Sequence, residues 1–177
     1  IDHWSRYDVD TFDASYISAS LNNDGQKIIT SHNSNGVECY TFNTITESFD
    51  VSFVSSTIAS SLSLNSTGEN YVIGDSSNNI VYIYYDGSIS TINVSDDASY
   101  GKIVNINSYG DIVSVISDTK LYKYAINSIN NSTLTQYSTW NLIRSYNITT
   151  DIAISNDGYF FAYKESDEVI IKSLNIT

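Results

Sequence analysis

The chain has 177 residues, 41% of them hydrophobic, which matches one ordinary domain with enough apolar material for a core and excludes a disordered segment. With 20 acidic and 8 basic residues and a net charge of -12, it lacks the clustered Lys and Arg that nucleic acid or an anionic membrane would require. No apolar run approaches the roughly 18 residues of a membrane helix, so no membrane insertion is expected, and the single Cys39 excludes an intrachain disulfide.

The chain begins at Ile1 and contains no Met, so a processed or internal start without a signal peptide is expected. Its first element is an alternating stretch at Trp4–Thr11, read as a strand. Four units of one grammar follow: an alternating strand, a polar turn closing on glycine, an apolar strand, a second polar turn and a third strand. The turn glycines are Gly25, Gly68, Gly110 and Gly158, spaced 43, 42 and 48 residues apart. The first strands of the units are expected near Ser15–Leu21, Thr57–Leu64, Lys102–Asn107 and Thr149–Ser155. A fourth strand is read at Ser48–Val54 in unit one, at Ser88–Val94 in unit two and within Thr135–Tyr146 in unit three. Unit four ends after its third strand. Composition agrees, because Ile and Val total 35 against 14 for Leu and Ala, and β-branched side chains suit a pleated surface better than a helix.

A period of about 40–45 residues carrying three or four strands is that of a propeller blade. The fold expected is therefore all-β: a single four-bladed antiparallel β-propeller over 1–177. Blade 1 spans about 15–54, blade 2 about 57–94, blade 3 about 101–146, and blade 4 about 149–174 plus the strand at 4–11. The N-terminal strand would close the last blade, since an unclosed ring leaves sheet edges exposed. The alternative is half of a larger propeller completed by a second copy. SNDGYFFAY at Ser155–Tyr163 and STGENYVIGDSSNNIVYIY at Ser66–Tyr84 resemble the WD40-type and YVTN-type propeller repeats. The YVTN-type resemblance implies a surface or secreted protein.

Catalytic chemistry finds little to use. His3 and His32 sit in no H-E-x-x-H or G-x-S-x-G setting, so both read as surface histidines and no catalytic residue is expected. For metal, Asp8, Asp10 and Asp13 form a D-x-D-x-x-D run, with Asp96 and Asp97 at the matching junction of unit two. They lack the calcium-loop spacing, so they read as turn-capping residues, and neither a metal nor a cofactor is expected. N-x-[ST] occurs at Asn65, Asn93, Asn130, Asn131, Asn147 and Asn175. With 19 Asn and 45 Ser plus Thr, chance alone yields about five such sites, so position matters more than number. Trp4 and Trp140, on proposed outer strands, are candidates for stacking on sugar rings, although packing between blades also consumes large aromatics. Cys39 reads as a buried small hydrophobe.

These readings converge on a non-enzymatic, secreted structural or interaction module. It would form a homo-oligomer or homopolymer, in an extracellular or cell-surface filament or layer, with glycans as possible ligands or adornment. The alternative is a carbohydrate-binding propeller.

Overall fold

The computed structural model of the protein describes residues 16–118, 120–126, 134–141, 152–155, 157–165 and 168–173. All of their regular structure is β. Fifteen strands form four antiparallel sheets, each in chain order. The first sheet holds β1 (Tyr16–Leu21), β2 (Lys27–His32), β3 (Gly36–Asn43) and β4 (Ser48–Ser55). The second holds β5 (Ser61–Leu64), β6 (Tyr71–Asp75), β7 (Ile80–Tyr85) and β8 (Ser88–Asn93). The third holds β9 (Ile103–Ile106), β10 (Ile112–Ile116), β11 (Lys120–Ile126) and β12 (Leu134–Asn141). The fourth holds β13 (Ile152–Ile154), β14 (Phe160–Glu165) and β15 (Glu168–Ser173).

Each first turn is built alike. The residue after the first strand folds its side chain back onto the chain five residues on. Asn22 Oδ1 accepts from Lys27 N at 2.9 Å, Asn65 Oδ1 from Asn70 N at 3.1 Å, Asn107 Oδ1 from Ile112 N at 3.0 Å and Ser155 Oγ from Phe160 N at 2.9 Å. The glycine amide then donates to that same residue's carbonyl. All four glycines have φ between 71° and 82°, the left-handed region that a side chain resists. Side-chain and backbone closure together explain why a polar residue and a glycine bracket every turn.

Strand alternation then decides which neighbour each side chain meets. On β5 and β6, Leu62, Leu64 and Ile73 pack with Ile29 and Val37 of the first sheet. Val72, Val81 and Ile83 point the other way and pack with Val104, Ile106, Val113 and Val115 of the third. The second sheet is thus buried on both faces. The first strands of three sheets lie side by side and parallel, joined by serine hydroxyls. Ser18 and Ser20 Oγ accept from Leu62 and Leu64 N, and Ser61 and Ser63 Oγ accept from Val104 and Ile106 N, all at 3.0–3.2 Å. Each hydroxyl thereby satisfies a strand N–H that no ladder reaches. The fit is close: a Cβ on Gly74 would overlap the Gly101 carbonyl oxygen.

Among the described residues the four sheets are not seen to close into a ring. The closing strand expected at Trp4–Thr11 lies outside those residues. The fourth sheet leaves one face open. Val169 and Ile171 are each 70% exposed there, beside the half-exposed Phe160.

Candidate functional site

The first strands of the sheets end around two clefts. Their starting ends border one of about 530 Å³, lined by Ile17, Ile58, Ala59, Ser61, Lys102 and Ile103 among others. Lys102 is held there by Asp118, Nζ to Oδ1 at 2.7 Å. Hydrogen bonds from Lys102 and Ser99 keep the Asp118 carboxyl below its ordinary range. The opposite, turn-side ends border a second cleft of about 240 Å³. All four sheets contribute to it: Ser20 and Asn23, Ser63 and Asn65, Asn105 and Ser108, and Ser155. Among the described residues its lining carries no charged side chain, and polar atoms dominate it.

A third cluster is a buried phenol network. Tyr100 Oη donates to Tyr124 Oη at 2.8 Å, and Tyr122 Oη donates to the buried Asp97 carboxylate at 2.5 Å. The Tyr100 and Tyr122 rings meet edge to face at 5.1 Å. Burial raises all three phenols above the ordinary tyrosine value, and the bond to Tyr124 adds to this for Tyr100, as the Asp97 carboxylate does for Tyr122. On the far side of the third sheet, Lys123 is buried with its ammonium 5.2 Å from the Tyr159 ring centre. Burial pushes its pKa down.

Several sequence expectations meet a different setting. His32 is only 2% exposed rather than on the surface. Its Nδ1 accepts from Asn35 N at 3.2 Å, and its Nε2 lies 3.4 Å from Glu38 Oε2. Asp75 Oδ1 and Ser117 Oγ do the same turn-closing work in the next two sheets, so the histidine is one of three acceptors that fit this corner. Cys39 is half-buried rather than buried. Asp97 serves Tyr122 rather than an exposed loop. Among the described residues no three metal-ligating side chains converge.

Asn65 is 4% exposed and its Oδ1 is spent on the turn. Asn93 stands exposed at the end of β8. Trp140 lies on β12 opposite Leu121. Trp4, Asn130, Asn131, Asn147 and Asn175 lie outside the described residues. Sequence reading missed the inward serines and Asn105, whose signal is the recurrence of Ser20, Ser63 and Asn105 at one position of the first strand in three of the four units.

No known protein family matches the chain, and no curated protein matches it in sequence. Among solved structures it resembles a protein of Bacteroides uniformis provisionally assigned as a 6-phosphogluconolactonase, with a TM-score of 0.65 and 12% identity. The match covers 90% of this chain and 50% of that one, so the chain spans about half the length of that structure. At that identity the likeness concerns the fold alone. It corrects two expectations. The fold likeness is to a lactonase-like structure rather than to WD40-type or YVTN-type repeat proteins, and nothing points to secretion. The expectation of a non-enzyme is withdrawn as well, because the structure that the chain resembles carries an enzyme's name, a name that belongs to that protein. What stands is an all-β chain of four stacked sheets sharing its fold with half of a larger protein.

Proposed function

We propose that the chain is a self-associating interaction module whose sheets are blades of a ring larger than four. The observation that carries this is the open face of the fourth sheet. Val169 and Ile171 occupy the repeat positions of Val81 and Ile83, which are 0% and 1% exposed against the third sheet, yet both are 70% exposed. Closure as a ring of four would bury them, so the reading as half of a larger ring, completed by a second copy, has the better support. The chain's match to half of a longer structure fits the same reading. Apolar strand residues of this kind gain about 1.5–3 kcal/mol each on full burial. Pairing of copies through this face would build a homo-oligomer.

Sedimentation velocity over a hundredfold concentration range tests the proposal. The parent is expected to associate, and Val169→Lys with Ile171→Lys to stay monomeric at an unchanged melting temperature. A parent that is monomeric throughout, or a double variant that associates as the parent does, would overturn it.

A further inference from the structure

The turn-side cleft has a chemistry that stacking of sheets does not use. Its serines and asparagines are placed by the fold, yet several keep unspent hydrogen-bonding groups. Ser63 Oγ accepts from Ile106 N and Ser20 Oγ from Leu64 N, and neither hydroxyl proton has an acceptor among the described residues. Asn65 spends its Oδ1 on Asn70 N and Thr67 Oγ1, while its Nδ2 hydrogens have no acceptor there. The Asn105 carboxamide and the Ser108 hydroxyl make no hydrogen bond among the described residues, although both line the cleft. Ser63 and Asn65 are more than nine-tenths buried and still border the cleft.

We propose that this cleft binds a neutral polyhydroxy compound, a pyranose or a polyol. Hydroxyl and carboxamide groups donate and accept in turn, as sugar hydroxyls do, so each lining group finds a complement. The space of about 240 Å³ equals roughly eight waters at about 30 Å³ each, enough for a single ring with its hydroxyls. Among the described residues no Lys, Arg or His lines it, and the chain carries a net charge of -12, so a phosphate or carboxylate finds no partner charge there. The site is distinct from the open face of the fourth sheet.

Amide NMR of the intact chain, titrated with methyl glucoside, methyl galactoside, myo-inositol and glycerol, reads it directly. At least one should shift the Ser63, Asn65 and Asn105 amides with a dissociation constant in the millimolar range. Asn105→Leu, which removes no contact holding the fold, should weaken that binding about tenfold without moving the melting temperature. Glucose 6-phosphate should bind at least tenfold more weakly than the best neutral compound. Absence of shifts at those residues with all four neutral compounds means the cleft holds water only, and overturns the proposal. Unchanged binding by Asn105→Leu, or tighter binding of the phosphate, would do so too.

Discussion

The second and fourth sheets are built to one plan and end in opposite surroundings. Both begin with a short inner strand, close the first turn through a polar side chain and a glycine, and place Val and Ile alternately on the third strand. The second sheet lies between two neighbours and buries Val81 and Ile83. The fourth has a described neighbour on one side only, where Phe161 is buried, while Val169 and Ile171 face out. Identical strand grammar therefore makes a core position in one sheet and a contact surface in the other. Local sequence shapes the sheet, and the number of neighbours decides what its side chains are worth.

The comparison breaks most severely at Gly74, where the second and third sheets approach backbone to backbone. Gly74→Ala would drive a Cβ into the Gly101 carbonyl and toward Val104 Cγ1 at 2.9 Å. A loss of about 3 kcal/mol or more in urea unfolding is expected. Next comes Ile83→Ala, at about 2–4 kcal/mol for a large-to-small change in a filled core. Ile171→Ala in the dilute monomer should cost under about 0.5 kcal/mol. Similar losses at both positions would show that the fourth sheet is covered after all.

Alkaline pH should strike the second and third sheets before the fourth. Tyr100, Tyr122 and Tyr124 are buried between those two sheets, with pKa values raised above the ordinary 10.0. They stay protonated in the fold, while in the unfolded chain they ionise near 10.0. The unfolded chain then binds fewer protons. Their stabilising contribution is complete below that pH and is lost as the pH rises toward the folded values. Tyrosinate absorbance should rise together with loss of the β-sheet circular dichroism. A full tyrosinate signal from a still-folded chain would contradict the buried network.

Smaller effects sharpen the picture. Ser63→Ala removes the acceptor for Ile106 N between the second and third sheets and should cost about 1–3 kcal/mol. Asp118→Asn breaks an ion pair whose side chains are 48% and 39% exposed, so well under 1 kcal/mol is expected, declining with added salt.

Much of this plan is legible in the sequence. The glycine spacing locates the turns, and alternation places β4 at Ser48–Ser55 and β8 at Ser88–Asn93, within a residue of their expected ends. The serines that join sheets are not legible, because Ser18 and Ser61 look like any polar strand residue until a neighbour's N–H lies opposite. Asn65 is a related case: its sequon is local, while its burial comes from the turn it closes and from the adjacent sheet. His32 shows the same thing, since its partner Glu38 lies across the β2–β3 turn. Ring closure is the least legible feature, because Val169-Ile170-Ile171 and Val81-Tyr82-Ile83 carry one pattern and differ only in what covers them.

The most direct test of that difference is the unfolding free energy of Ile171→Ala relative to the parent, measured by urea at two protein concentrations about a hundredfold apart. If the open face is covered by another copy, association stabilises the parent and the penalty of the variant grows with concentration. The expected course is from under about 0.5 kcal/mol when dilute to about 2 kcal/mol when concentrated. A penalty that is the same at both concentrations would contradict the account.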